Sequence, residues 1–578
     1  MRALARREAP WIIVAAAVVL ALPALWLPGG IGDDWLALAW DGHPVLPVER
    51  SAIDLFSWLP ADAAAVGELA DRTGMWTLAD GARLRVWRPL TSITHALDAM
   101  AWPHQIWAIR LHGLLWYGLA ALAIGALYRT FFGSGWIAPL ALAVFALDDA
   151  RAVLLADTLD RHQVVGAGLT ALTLLLHHRW RRDGWQQGRW LAPACFAASL
   201  LASETAIAGL GYVLAYTIAV ERAPGPQQWG AFAPYAALAA TWFIGCAVAG
   251  FDVTGIFVQP VAALAALVLR SPLLAAEQLG VPGFASVVDA GTGLTVAVTI
   301  VGASLAVLVG WTIVPLLQRN SLARFWALGA LLAMPPAAWA GGGGGSLIFV
   351  ALGASALIAQ YLAAIWRTAP GGRLTVLQPG VVVLGGLWLI AHLVVAPALL
   401  PWRIVTSSAA AERMEAAAAS LPADAALADQ QLVIVHAPDL ARGPGLLVHR
   451  AARSAVLPAS ARVLAFSAEP LTIVRTAEDA VAIDLAAAPR RVPWPAGRAP
   501  LAAALHATLG AGSRVEIDGF EATVVHDPAE DRWRADFRFD VPCDNESLRW
   551  IAWDGERYVA FTPPAVGERA ITGAAAAP

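Results

Sequence analysis

Residues 11 to 28 read WIIVAAAVVLALPALWLP, an uncharged apolar run in which only Pro23 and Pro28 disfavour a helix. A bilayer core of about 30 Å takes roughly 20 apolar helical residues to cross, so this run is predicted to span a membrane. Arg2, Arg6 and Arg7 precede it, and basic residues collect on the cytoplasmic side, which puts the N-terminus inside. No small-residue cleavage site follows before Asp33, so the run reads as a retained first helix and not as a signal peptide. The chain as a whole agrees. Of its 578 residues 58% are hydrophobic and 14% charged, where soluble domains carry about 25% charged residues.

Outward from this first span, ten further apolar runs lie at 106 to 127, 134 to 147, 163 to 178, 190 to 203, 205 to 220, 230 to 250, 292 to 317, 325 to 340, 346 to 366 and 376 to 400. Arginine placement tests them. With alternating topology, Arg129, then Arg179, Arg181, Arg182 and Arg189, then Arg222, then Arg319 and Arg324, then Arg367 and Arg373 all fall in inside loops. Segment 190 to 220 is flanked by basic residues at both ends, which favours a break near Glu204 over one long helix. About eleven spans leave the outer face with residues 29 to 105, 148 to 162, 251 to 291 and everything after 402. The chain therefore divides into a transmembrane domain, 1 to 402, with 29 to 105 as its first outer loop, and an extracytoplasmic domain, 403 to 578.

The second domain has a different texture. Segments 432 to 436, 462 to 466, 471 to 474, 514 to 517, 522 to 526, 533 to 539, 547 to 553 and 558 to 561 are short, β-branched or aromatic, and separated by Gly, Pro or Asp. They predict a mostly β domain, entered through an Ala-rich helix over 409 to 420. The Gly341 to Gly345 run reads as an outer turn.

Several chemistries are excluded. Lysine is absent, so neither a Schiff-base lysine nor a phosphate-loop lysine exists. Cys195, Cys246 and Cys543 are too scattered for a disulfide framework or a cysteine zinc site. A net charge of -4 gives no reason to expect a nucleic-acid partner.

The polar residues that look chemical gather on the predicted outer side. Asp33 and Asp34 follow the first span; adjacent acids repel, so one can keep a raised pKa and act as a base, or the pair can share a divalent cation such as magnesium or manganese. Trp87-Arg88-Pro89-Leu90 comes next, with Thr91, Ser92, His95 and Asp98, and a guanidinium fork suits phosphate oxygens. His112 stands one turn inside the second span. The loop 148 to 162 packs Asp148, Asp149, Arg151, Asp157, Asp160, Arg161 and His162 into fifteen positions. Glu204 is alone between apolar runs and calls for an arginine partner, Arg161 or Arg88. Solvated turns, headgroup contacts and mutual salt bridging account for each of these features singly.

Together, the acid pair after the first helix, the Arg-Pro-Leu element with Leu97 and Asp98, His112, Arg161 and His162, and Ser203-Glu204 resemble the GT-C superfamily of membrane glycosyltransferases. Within it they are similar to bacterial relatives of the tetratricopeptide-associated O-mannosyltransferases. Two departures are that Arg110 precedes His112 and that no tetratricopeptide array follows the last span. The resemblance implies a polyprenyl-phosphate sugar donor, a glycan, lipid or protein acceptor outside the cytoplasm, and residence in a bacterial plasma membrane. It implies Asp33 as base with Asp34 binding acceptor or metal, Arg88 and Arg161 on the donor phosphate, and Glu204, Asp160, His162 and His112 in support. A secondary transporter and a non-catalytic envelope assembly protein remain the competing readings.

Overall fold

The computed structural model describes residues 7–27, 51–57, 68, 70–71, 74–78, 85–103, 105–221, 225–251, 260–278, 292–339, 344–368, 378–439, 441–451, 453, 455–485, 509–529 and 531–572. Asp33 and Asp34 lie outside them.

The apolar runs form helices. They are α1 (Ala9–Ala21), α2 (Pro89–Ala101), α3 (Ile106–Phe132), α4 (Ile137–Ala146), α5 (Ala152–Ala156), α6 (Arg161–Asp183), α7 (Gly188–Ala202), α8 (Ala208–Ala219) and α9 (Pro226–Val248). There follow α10 (Pro260–Gln278), α11 (Thr292–Arg319), α12 (Ser321–Trp339), α13 (Ile348–Thr368), α14 (Gln378–Ile390) and α15 (Ala396–Thr406), the last two joined by a π-turn over Ala391–Val395. Among the described residues six helical stretches are long and apolar enough to cross a membrane, including α3, α9 and most of α11 and α13. This is a polytopic helical membrane protein. The segment from α7 to α8 is broken at Ser203, whose backbone is extended before a short turn at Glu204–Ile207. Helix α10 falls in a stretch expected to be an outer segment.

Inside lipid the helices gain little from apolar burial alone, so close backbone approach and interhelical hydrogen bonds hold them together. Three buried tyrosines do this: Tyr117 donates to Ala146 O, Tyr128 to Leu352 O and Tyr212 to Phe349 O, each at 2.7 Å. Trp326 sits fully buried among Tyr128, Phe131 and Phe325. At Gly353 a Cβ would stand 2.5 Å from the Trp326 carbonyl oxygen, so only glycine lets α13 approach α12 this closely.

Beyond α15 the chain continues through α16 (Ser408–Ala419) into two sheets. One has four strands in the order β2 (Ser460–Phe466), β1 (Gln431–Ala437), β8 (Leu548–Trp553), β9 (Tyr558–Ala560). Strand β1 runs parallel to both neighbours, and the crossover from β1 to β2 carries helix α17 (Pro444–Ala451). The other is antiparallel, in the order β10 (Arg569–Ile571), β3 (Thr472–Ala477), β4 (Ala480–Leu485), β7 (Arg532–Phe539), β6 (Phe520–Asp527), β5 (Arg514–Ile517). Side chains on β1 alternate between two apolar clusters, as a period of two requires. Val433 and Val435 join Leu464, Phe537 and Trp550 between the sheets. Leu432 and Ile434 join Met414, Leu446 and Leu447 beneath the helices, together with Leu55, Phe56 and Val86 of the first outer loop and Leu159 of the loop 148 to 162.

The inter-sheet cluster also holds Ala70, Met75 and Trp76 of the first loop. The Trp76 indole N–H donates to Leu464 O at 3.0 Å, and its ring meets Phe537 edge-on at 5.4 Å. Gly74 has φ 65°, and its carbonyl accepts from the Val463 N–H at 3.1 Å. Arg462 donates to Asp71 O at 2.8 Å. Loop and β domain therefore share a core.

His436 on β1 is fully buried, and its Nδ1 has no hydrogen-bond partner among the described residues. Burial holds its pKa down at about 4, against an ordinary value of 6.5. The unfolded chain thus binds the proton more readily than the folded one. Stability conferred above pH 6.5 is lost as pH falls towards 4, by an amount on the order of 3 kcal/mol. Thermal unfolding of the purified protein between pH 7.5 and 4.5 should show a falling midpoint, less steep in His436→Gln; equal slopes would rule His436 out as the cause.

Candidate functional site

Arg88 is the last non-helical residue before α2, with Pro89 at the first helical position, where its missing N–H costs nothing. Two hydroxyls fix the spot. Ser92 donates to Arg88 O at 2.9 Å and accepts from the Leu55 N–H at 3.1 Å. Thr91 donates to Ala202 O at 2.8 Å, which fastens the start of α2 to the end of α7. Glu204 is thereby set opposite Arg88.

Their side chains meet as a two-bond fork: Nε to Oε2 at 2.7 Å and Nη2 to Oε1 at 2.5 Å. The guanidinium lies over the Phe56 ring, 4.6 Å from its centre. The remaining nitrogen, Nη1, stands 3.4 Å from Nδ1 of His162. That Nδ1 is 2.9 Å from the Leu159 carbonyl, a distance at which it is the donor. Two donors facing one another leave the Nη1 hydrogens to an incoming anion. The pair is not sealed, with 13% of the Arg88 side chain and 15% of the Glu204 side chain exposed.

A second cluster adjoins the first. Arg161, at the start of α6, is 2.5 Å from Asp98 Oδ2 and donates to Ile109 O at 3.0 Å. Its side chain is 1% exposed and that of Asp98 2%. His112 donates from Nδ1 to Asp98 Oδ1 at 2.6 Å and accepts at Nε2 from the Trp116 indole at 2.9 Å. An indole N–H is donor only, so this network selects the Nδ1–H tautomer. His95 lies 4.0 Å from Asp98 Oδ2. Burial, and then the Arg161 charge, holds the His95 pKa well below its ordinary value. Asp160 precedes Arg161 and accepts from the Gln163 amide at 3.3 Å.

The same end of the bundle holds a third group. Asp149 pairs with Arg403 of α15 at 2.7 Å, and Asp148 lies 3.5 Å from Nδ1 of His392 in the π-turn. Arg151 is buried over the Phe145 ring. Thus Arg88, Arg161, Glu204, Asp160, His162 and His112, drawn from four stretches of sequence, come together. Asp98 turns out to be the hinge of the second cluster, yet the sequence offered it only as part of a longer pattern. Phe56 carried no signal at all. Among the described residues no group of three or more His, Cys, Asp or Glu is placed to hold a metal ion.

Fold and site define a multi-pass membrane protein whose β domain packs onto a buried cluster of arginines, acids and histidines. No family model matches the sequence, and no curated protein matches it. Among solved structures, similarity is found to the oligosaccharyltransferase AglB of the archaeon Archaeoglobus fulgidus in complex with an inhibitory peptide and a dolichol-phosphate. The identity is 12% and the TM-score 0.40, over 79% of this chain and 65% of that one. An Archaeoglobus fulgidus oligosaccharyltransferase in the apo form gives 12% identity and a TM-score of 0.39 with the same coverage. The form tethered to an acceptor peptide gives 11% and 0.37, over 79% of this chain and 64% of that one. This chain spans under two thirds of the length of these structures, and none of the three is a bacterial O-mannosyltransferase.

Proposed function

We propose that the protein is a membrane glycosyltransferase that moves a sugar from a polyprenyl-phosphate carrier to an acceptor hydroxyl outside the cytoplasm. The supporting observation is the Arg88 fork: two nitrogens fixed by Glu204, a face held on Phe56, and a third nitrogen left to an anion at a partly open surface. A leaving phosphate needs such a preorganised cation, because positive charge aimed where negative charge develops is the largest single contribution to many transfers. The reaction breaks the bond between the anomeric carbon and the carrier phosphate oxygen and forms one to the acceptor oxygen. The acceptor proton passes to Asp33, and the phosphate departs with its electron pair towards Arg88. Arg161, closed off behind Asp98, adds positive field from within. Asp34 binds the acceptor or a divalent cation, His112 braces Asp98 against Arg161, and His162 and Asp160 stand beside the arginines in support.

The test is mass spectrometry of lipid-linked sugars and envelope glycans in a gene-deleted bacterial host complemented with wild type or with an Asp33→Asn, Asp34→Asn double variant. At equal membrane abundance the variant should lose a hexose-sized product and accumulate lipid-linked sugar. Identical profiles would show the acid pair to be structural and turn the reading towards a scaffold or transporter.

A further inference from the structure

At the far end of α3 from the charged clusters lies a cavity of about 260 Å3 between α1, α3 and α4. From His112 to Arg129 the helix rises about 25 Å, so the two regions sit near opposite faces of a bilayer core. Arg7 and Arg129 both line the cavity. Neither makes an ion pair or a side-chain hydrogen bond among the described residues, although 43 acids are distributed through the chain. Two guanidinium groups on exposed side chains that line one space repel each other, and an anion between them removes that cost. The wall opposite is apolar, formed by Pro10, Pro139 and Leu142, and Gly135 puts no side chain across the mouth. A Cβ at Gly135 would meet nothing within 4 Å. Directly beyond Pro10, Trp11 and Ile12 present a bare apolar face, 65% and 64% exposed.

A phosphate oxyanion fits the arginines, and the adjoining apolar surface fits acyl chains. We propose that this cavity binds the headgroup phosphate of an anionic membrane lipid, a site separate from the transfer chemistry. Basic pockets between helix ends are where such headgroups are held.

The protein in nanodiscs of equal phosphatidylglycerol and phosphatidylcholine, released into native mass spectrometry, reports which lipid stays bound. Wild type should retain phosphatidylglycerol at least tenfold over phosphatidylcholine, and Arg7→Gln with Arg129→Gln should bring the ratio near one. Gly135→Leu fills the mouth without touching a charge and should have the same effect. Each variant should elute as a single species, as the wild type does. Inorganic phosphate added to detergent-purified, delipidated protein should leave the melting temperature unchanged where phosphatidylglycerol raises it. Equal retention of the two lipids by wild type, unchanged preference in the double variant, or stabilisation by inorganic phosphate alone would each overturn the proposal. None of these outcomes bears on the Asp33 and Asp34 test.

Discussion

An Arg88→Lys variant is expected to fold and reach the membrane at wild-type level, yet to lose sugar transfer by about 100-fold or more. Lysine keeps the positive charge, so Glu204 is not left alone in a partly buried site. What it loses is geometry. An ammonium cannot bind both Glu204 oxygens, lie on the Phe56 ring and still direct donors towards His162 and the space beside it, as the Arg88 fork does. Arg88→Ala is a poorer probe, because stranding one partner of a buried pair costs about 3 kcal/mol and confuses lost chemistry with lost fold. The double variant Arg88→Gln, Glu204→Gln separates the two. It removes both charges, should recover most of the stability lost by Arg88→Ala, and should remain inactive. Transfer by Arg88→Lys within threefold of wild type, measured on membranes of matched protein content, would remove Arg88 from the phosphate and leave the fork as a clamp between α2 and the Ser203 break.

The clamp also shows what was and was not legible in the sequence. Arg88 and Glu204 are conspicuous because each is a charged residue beside an apolar run, and their chemistry could be named one at a time. Their pairing, across 116 positions, could not, since Arg161 offered the same charge to the same acid. It is decided by Thr91 catching the end of α7, a backbone contact without sequence periodicity. Helix α2 lies inside the expected first outer loop, but most membrane helices followed from apolar runs and their arginine flanks, and the Ala-rich helix before the β domain from composition. Helix α10 did not, because Arg270, Ser271 and Pro272 interrupt its apolar face. Strand β4, AVAIDL, is too rich in alanine to stand out among β-branched neighbours.

The least legible contact carries the second large expected effect. Trp76→Ala should destabilise the β domain by about 3 to 5 kcal/mol, the usual cost of removing a fully buried large aromatic from a core. In a domain of this size that lowers the unfolding midpoint by roughly 10 °C. The side chain is 2% exposed and stands among residues of both sheets, so its removal opens a cavity where β2 and β7 face one another. Trp76→Phe keeps most of the volume and loses only the bond to Leu464 O, a change nearer 1 kcal/mol. Gly74→Ala should approach the Trp76→Ala result by another route. A Cβ there would stand 2.0 Å from Ala461 O, a backbone atom that cannot rotate away, at a φ of 65° that disfavours any side chain. Since the opposite face of β1 shares a cluster with Phe56, the support beneath Arg88, loosening the sheets should also depress transfer at temperatures where the membrane helices remain folded. Limited proteolysis against temperature, followed at the β domain, reads the effect directly. A Trp76→Ala protein with wild-type protease resistance would show that the loop merely rests on the sheets, and the β domain would then have to be stable by its strands alone.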